Sequence, residues 1–229
     1  GWRAIRMCLD ESALFKVQLR ALLRAARHGD LRVMLPLVIT LDEVRAARHL
    51  LDEAAAELEA RGVPFKRDVP LGVMVETPAA AVAADTLADD VAFFSIGTND
   101  LVQYTLAVDR GNANLAERFT PLHPAVLRLI RRIVEVAHER QLEVAVCGEM
   151  ASHPLMAFTL IGLGLRELSV NPRAVPMVKR IVRGISASFA QEAAAAALSR
   201  RTAAEAEREL RFRLLAAFGD APFLAESRA

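Results

Sequence analysis

The sequence predicts an α/β fold built on a parallel β-sheet. Short, nearly continuous apolar segments alternate along the chain with longer segments whose apolar residues recur at helical spacing. Strands buried on both faces have this uninterrupted apolar character, which is typical of parallel sheets. The alternation itself is the second indication, because each parallel strand is followed by a helical crossover before the next strand begins.

Five apolar segments have the length of strands. They are residues 31–38, 71–76, 91–97, 142–148 and 165–170. A complete eightfold barrel needs eight strands. Either the sheet is open, therefore, or further strands precede Gly1.

Capping residues and proline at helix starts, and glycine at helix ends, predict the helices. Thr40 and Glu43 form a capping box for a helix that ends near Gly62, and Thr77 and Pro78 begin the next one. A long loop is predicted after residue 97, and the tail after Gly219 is expected to be loose. Helices are predicted at residues 11–28, 41–61, 78–88, 125–140, 154–162, from 176 onward, and 200–218.

Composition excludes several functional classes. The 229 residues carry a formal net charge of +1, which gives no electrostatic footprint for nucleic acid or an anionic membrane. Cys8 and Cys147 are too few for a disulfide scaffold, so a reduced, cytoplasmic setting is expected. No segment resembles a signal peptide or a membrane span. The chain begins with Gly, so its natural start is expected to lie upstream.

Two carboxylates follow successive predicted strands. Glu76 ends VMVE, and Asp100 lies in the Thr-Asn-Asp segment after FFSIG. If these strands are neighbours, they lie roughly 4.8 Å apart and both carboxylates can reach one cation. Oxygen ligands of this kind suit Mg²⁺, with water and substrate completing its coordination. Alternatively, Glu76 caps the following helix and Asp100 is a turn residue.

Two arginines are candidates for binding an anion. Arg110 follows an apolar patch in turn-like sequence, and its planar guanidinium would suit phosphate oxygens beside a metal. A surface salt bridge to Asp109 is the alternative. Arg3, with Arg6 nearby, precedes a predicted helix and could hold an anion or be an ordinary exposed arginine.

Cys147 lies in AVCGEM, at the end of a predicted strand. A thiol in that position, followed by glycine, can serve as an acid or a nucleophile. A lone cysteine in an apolar strand is more often a small buried hydrophobic residue, and Cys8 has the character of that second kind.

Six segments carry a resemblance to a known family: GWRAIR (1–6), LRVMLP (31–36), GVMVETPAA (72–80), FFSIGTNDLVQYTLAVDRGN (93–112), HPAVLRLI (123–130) and CGEMA (147–151). Together they resemble the carboxyl-terminal domain of Enzyme I of the bacterial phosphoenolpyruvate (PEP):sugar phosphotransferase system. The similarity runs from Gly1 to about residue 185. The block at 93–112 is the most specific part of it.

The resemblance implies a (β/α)8 TIM barrel of the PEP-binding type whose early strands lie before Gly1. Residues 1–199 would form this partial barrel, and residues 200–229 a C-terminal helix and tail. By the same resemblance, Glu76 and Asp100 bind Mg²⁺, and Asn99 and Arg110 hold the substrate phosphate. Arg3 and Asp100 also lie in the substrate site.

The resemblance also implies a reaction. Cys147 resembles the group that delivers a proton to the enolate carbon, which yields pyruvate. The phosphoryl group would pass to a histidine on a separate amino-terminal domain and then to the carrier protein HPr. The family acts as a cytoplasmic homodimer.

The chain departs from the family pattern in three ways. The family's phosphorylated histidine has no match here, and the strands that supply further substrate-binding arginines would lie upstream. Ser152 and His153 follow CGEMA where the family usually has Gly-Asp. The isolated chain is therefore expected to be inactive as a phosphotransferase.

Two other functions stay open. Pyruvate phosphate dikinase and PEP synthase resemble the family in barrel, metal pair and cysteine, although the YTLAVDRGN continuation resembles Enzyme I and differs from theirs. A regulatory domain that binds PEP without catalysis is the second alternative. A positioned thiol argues against that alternative, because a domain that only binds has no need of one.

Overall fold

A computed structural model of the protein describes residues 1–219, and its centre is one five-stranded sheet. The strands lie side by side in sequence order, and all four pairings are parallel. The five predicted strands are thereby confirmed, each shorter than predicted. They are β1 (Val33–Leu35), β2 (Leu71–Val75), β3 (Phe93–Gly97), β4 (Glu143–Cys147) and β5 (Glu167–Leu168).

The sequential strand order decides the type of α/β fold. Crossovers between parallel strands are right-handed almost without exception. Strands added in sequence order therefore place all their connecting helices on one face of the sheet, as in a (β/α) barrel. A doubly wound sheet would need a reversal of strand order. The predicted α/β fold of the barrel type is confirmed.

The described part of the chain contains eleven α-helices, together with short 3₁₀ turns at Ala113–Arg118, Glu149–Ser152 and Pro172–Ala174. The α-helices are α1 (Ala4–Asp10), α2 (Ser12–Ala25), α3 (Leu41–Ala60), α4 (Pro78–Val82), α5 (Ala84–Ala88), α6 (Thr98–Leu106), α7 (Pro124–Glu139), α8 (Pro154–Gly162), α9 (Val175–Gly184), α10 (Ala187–Leu198) and α11 (Ala203–Phe218).

The prediction of a long loop after β3 is wrong. Helix α6 begins directly at Thr98, with Gly97 as its N-cap. The Thr-Asn-Asp segment has the composition of a turn, but Asp100 in the first turn complements the positive end of the helix dipole. Helix α1 was also not predicted, so Arg6 lies inside a helix rather than before one.

The two faces of the sheet are buried to different degrees. One face carries apolar side chains packed under the helices, and these are all buried: Val73, Val75, Phe94, Ile96 and Val146. Their neighbours in the pleat point to the opposite face, where Met74, Ala145 and Cys147 are half-buried. In a barrel this second face is the interior. Cys147, the last residue of β4, lies on this interior face at the carboxyl end of its strand.

The C-terminal helices form a compact group around α10. Helix α10 packs on α8, where the rings of Phe158 and Phe189 lie 5.9 Å apart, and α11 packs on both helices. Thr202 and Glu205 form a capping box at the start of α11. The division of the chain at residue 199 stays a prediction, and the tail predicted to be loose lies outside the described residues.

Across residues 1–219, none of the helices combines the length and the apolar character that crossing a membrane requires.

We expect Gly162→Ala to destabilise the protein. A Cβ atom on Gly162 would lie 2.1 Å from the carbonyl oxygen of Ala190, a backbone atom of α10 that no side-chain rotation can move. Alanine favours a helix by about 1 kcal/mol, but overpacking of this severity costs more, so a net loss of about 2 kcal/mol in unfolding free energy is expected. Urea denaturation measures it.

The matched control is Gly29→Ala, because no atom lies within 4 Å of the Cβ position there. That variant should stay within about 0.5 kcal/mol of the unchanged protein. Equal stability of the two variants would mean that α8 and α10 do not approach as closely as described.

Candidate functional site

Glu76 is a buried carboxylate at the carboxyl end of β2. The residue is only 6% exposed, and its Oε1 accepts a hydrogen bond of 2.7 Å from the backbone N–H of Leu37, just after β1. Leu37 has φ of +61°, a strained value for a residue with a side chain. The following helix is capped by Thr77, whose Oγ1 accepts from the N–H of Ala80. The alternative that Glu76 caps this helix is therefore wrong.

Asp100 lies close to Glu76 across the neighbouring strand. Val75 pairs with Ile96, which brings Glu76 alongside Gly97. A Cβ atom on Gly97 would lie 2.5 Å from Glu76 Oε2, so the absent side chain makes room for the carboxylate. Asp100 follows in the first turn of α6 and is 8% exposed. The alternative that Asp100 is a turn residue is also wrong, because Asp100 lies within a helix.

The charges around Glu76 act in opposite directions. Burial raises the pKa of its carboxyl group, the hydrogen bond from Leu37 lowers it, and the negative charge of Asp100 raises it again. The positive charges of Arg3 and Arg110 lower it. Two buried carboxylates thus share one region of low dielectric, where a nearby positive charge is strongly favourable.

Arg3 supplies one such positive charge. Its Nη2 donates to Asp100 Oδ2 at 2.5 Å and to the hydroxyl of Tyr104 at 3.1 Å. The hydrogen bonds to Tyr104 and Asp100 raise the pKa of the Arg3 guanidinium, which remains charged. Arg3 comes from the chain segment before α1, 97 residues from Asp100 in sequence. By contrast, Arg6 donates to the carbonyl of Gly1 and not to this cluster.

Cys147 ends β4, one strand further along the sheet and opposite Gly97. Its Sγ donates to the carbonyl of Ile96 at 3.5 Å and accepts from the hydroxyl of Ser95 at 3.5 Å. The next residue, Gly148, has φ of +109°, and a Cβ there would lie 2.3 Å from Thr98 Oγ1. Cys147 is half-buried at the site, whereas Cys8 lies on α1.

Asn99 and Arg110 flank the carboxylates. The Oδ1 of Asn99 accepts from the N–H of Glu149 at 3.2 Å, which joins α6 to the segment after β4. Arg110 is exposed beyond the end of α6, and its charge reaches Glu76. Within residues 1–219, no ion pair links Arg110 to Asp109, whose carboxylate accepts from the N–H of Gly111 instead. The alternative of a salt bridge to Asp109 is therefore wrong.

The donor set fits a hard divalent cation. Glu76 and Asp100 offer carboxylate oxygens at the carboxyl end of the sheet. Mg²⁺ is commonly bound by one or two carboxylates plus water and substrate oxygens. No group of three His, Cys, Asp or Glu side chains in the described residues could hold a metal ion. A closed zinc-type site among those residues therefore does not fit.

The contacts made by Tyr104 and Ser95 were not predicted from the sequence. Tyr104 lies four residues after Asp100, so a helix at this position would have placed both side chains on one face. A loop, as predicted for this segment, has no such helical face. Ser95 is a hydroxyl within an apolar strand, a feature that could have marked it.

The family model for the PEP-binding domain of PEP-utilising enzymes matches residues 1–187. The chain belongs to this family. All six predicted site residues lie inside the matched segment.

Three curated relatives of this PEP-binding domain are each named phosphoenolpyruvate-protein phosphotransferase. The protein of Haemophilus influenzae is 44% identical over 205 residues, which is 90% of this chain and 36% of that protein. The protein of Priestia megaterium is 45% identical over 81% of this chain and 32% of its own length. That of Staphylococcus carnosus is 42% identical over 90% and 36%. The chain thus spans about a third of the length of the curated relatives it matches.

A solved structure shares the fold of this PEP-binding domain. The crystal structure of a citrate lyase from Burkholderia xenovorans superposes with a TM-score of 0.52 over 93% of this chain and 73% of that chain. The sequences are 18% identical, so the likeness concerns the fold alone.

We expect Glu76 to make the unfolding free energy fall as the pH rises. Its raised pKa means that the folded protein holds this proton to a higher pH than the unfolded chain does. Unfolding free energy therefore decreases from about pH 4.3, the ordinary glutamate pKa, until the raised pKa has been passed. Glu76→Gln removes this term, so the variant should gain stability relative to the unchanged protein across that window. Urea denaturation in EDTA between pH 4.5 and 8 measures it.

Glu205→Gln is a control of opposite sign. Hydrogen bonds from the backbone N–H groups of Arg201 and Thr202 lower the pKa of Glu205, so its contribution to stability is present at neutral pH and lost on acidification. That variant should lose stability relative to the unchanged protein as the pH rises. If the unfolding free energies of Glu76→Gln and of the unchanged protein vary with pH in parallel, the pKa of Glu76 is not raised in the folded protein.

Proposed function

We propose that the chain is the PEP-binding part of a phosphoenolpyruvate-protein phosphotransferase of the Enzyme I type. The enzyme would move the phosphoryl group of PEP to a protein histidine and release pyruvate. The observation that supports this most directly is the meeting of two buried carboxylates, an arginine and a thiol at one edge of the sheet. Relatives at 42 to 45% identity carry that enzyme's name.

Substrate binding falls to the positive and amide groups in this proposal. Arg3 and Arg110 would hold phosphate and carboxylate oxygens, since a planar guanidinium matches both groups. Asn99 would contribute a side-chain amide N–H to the phosphate while its Oδ1 stays bound to Glu149. Asp100 has a second function besides binding a cation, because it orients Arg3.

Glu76 and Asp100 would hold Mg²⁺. A bound Mg²⁺ would neutralise negative charge on the phosphate and enolate oxygens. The two carboxylates are already buried beside one another, although Asp100 Oδ2 accepts a hydrogen bond from Arg3. Positioning and charge stabilisation of this kind are the main requirements of phosphoryl transfer.

Cys147 would donate the proton that completes the reaction. The phosphorus–oxygen bond of PEP breaks, the phosphoryl group passes to a histidine nitrogen, and the enolate takes a proton at its methylene carbon to become pyruvate. The Ser95 hydroxyl already donates to the sulfur, so it would stabilise the thiolate that remains. Solvent then returns a proton to the thiolate.

The partners follow from the same proposal. The phosphorylated histidine would lie on an amino-terminal domain of the polypeptide, with HPr as the next acceptor, and the protein would be a cytoplasmic homodimer. Residues 1–199 would act as the PEP-binding unit, with residues 200–229 as its C-terminal appendage. Because the chain spans about a third of its relatives' length, it should not catalyse the transfer by itself.

We expect Cys147→Ala to abolish most pyruvate formation in the full-length protein, by at least about a hundredfold, because general acid catalysis contributes about that much. PEP binding, measured by isothermal titration, should change less than threefold. Cys8→Ala is the matched control, since it removes the other thiol from α1 without touching the site. Unchanged turnover in Cys147→Ala would remove this thiol from the mechanism.

Asp100→Asn should raise the Mg²⁺ concentration needed for half-maximal activity by at least about tenfold. An amide keeps the shape of the side chain but loses the charge that attracts a cation. Asp85→Asn is the control, because Asp85 pairs with Arg132 on the outer helices. If the Mg²⁺ midpoint of Asp100→Asn matches that of the control, Asp100 is not a ligand.

A further inference from the structure

Two residues of α6 hold the guanidinium of Arg3. Asp100 and Tyr104 lie one helical turn apart, and both receive a hydrogen bond from the same nitrogen, Nη2. Within the described part of the chain, Nε and Nη1 of Arg3 make no hydrogen bond. One edge of the guanidinium is thus fixed on α6, and its other N–H groups remain available to an anion.

The ion pair places a positive charge where a divalent cation would also bind. The side chain of Asp100 is 10% exposed and that of Arg3 is 50% exposed, so the pair is only partly screened by water. Repulsion between a guanidinium and a cation on one carboxylate is strong at such short separation and low dielectric. A cation arriving alone must overcome it.

An anion changes that balance. A phosphate bound to the available edge of Arg3 brings negative charge beside the guanidinium, which offsets its repulsion of a cation on Asp100. The effect is reciprocal, since a cation that tightens anion binding must itself bind more tightly in the presence of that anion. The two ligands would therefore bind cooperatively through Arg3.

We propose that Tyr104 is a positioning residue that keeps Arg3 on Asp100, so that the site binds a divalent cation weakly alone and tightly together with a phosphate-bearing anion. The inference rests on the proposed function, because it takes Glu76 and Asp100 as the cation ligands. It adds a role for Tyr104 and a coupling between the two ligands, since each binds more tightly when the other is present.

The test is the dissociation constant of Mn²⁺ for the full-length protein, measured by electron paramagnetic resonance of free Mn²⁺ with and without inorganic phosphate. The unchanged protein should bind Mn²⁺ about tenfold more tightly when phosphate is present. Arg3→Ala should bind Mn²⁺ alone about tenfold more tightly than the unchanged protein, and phosphate should tighten that binding less than it does in the unchanged protein. Arg3→Lys keeps the charge and should stay closer to the unchanged protein.

Tyr104→Phe should bind Mn²⁺ alone about threefold more tightly, because loss of the hydroxyl frees Arg3 to move away from Asp100. A merely structural role for Tyr104 would leave Mn²⁺ affinity unchanged or lower it. Thr105→Val is the matched control: its hydroxyl is on the same helix, is buried, and makes no hydrogen bond within residues 1–219. Arg140→Ala, which breaks an exposed ion pair with Asp89, controls for the loss of one positive charge.

The outcomes separate this inference from the proposed function. If the unchanged protein binds Mn²⁺ and Arg3→Ala binds it no more tightly, the competition is refuted while the metal site stands. A tighter Arg3→Ala with an unchanged Tyr104→Phe refutes the role of Tyr104. If Asp100→Asn binds Mn²⁺ as well as the unchanged protein does, or if no variant binds it, both the metal site and the inference fail.

Discussion

The burial of two carboxylates side by side is the constraint on which the site depends. Glu76 and Asp100 are each less than a tenth exposed, and like charges in a region of low dielectric oppose one another. The backbone N–H of Leu37 stabilises the Glu76 carboxylate, and the guanidinium of Arg3 stabilises that of Asp100. A bound cation would add charge to the same balance. Removing any one of these partners leaves a buried negative charge with less compensation, so the contacts around this pair are interdependent.

The parallel sheet creates this arrangement by bringing separate strand ends to one edge. The register of β2 on β3 sets Glu76 beside a glycine, and the register of β3 on β4 sets Cys147 opposite the same residue, Gly97. A side chain at Gly97 would occupy the space of the carboxylate. The carboxylate and the thiol therefore lie on either side of one strand. A barrel sheet with sequential strand order is well suited to this, because every strand end contributes to the same rim.

The predictable part of the structure is the part that local pattern determines. Apolar segments marked all five strands, and Thr40 with Glu43 marked the helix start that the structure contains. Glu76 could be singled out because a carboxylate directly after a buried strand is costly without a partner. The ion pair of Arg3 with Asp100 joins residues 97 positions apart, and no local pattern encodes it. Helix α6 was not predicted because its first residues, Thr98, Asn99 and Asp100, are of types common in turns. Their side chains make tertiary contacts that the local sequence does not show.

Those residues explain why α6 organises the site. Three consecutive side chains in its first turn each bind a different segment: Thr98 donates to the carbonyl of Cys147, Asn99 accepts from the N–H of Glu149, and Asp100 accepts from Arg3. Cys147, the segment after β4 and Arg3 are therefore all positioned by contacts with one helix end. Helix formers with no polar groups would have stabilised α6 locally but would have removed these connections. Residues 98–100 have a weak local preference for helix because their polar side chains serve tertiary contacts. Those contacts, and not helix propensity, explain the sequence of this turn.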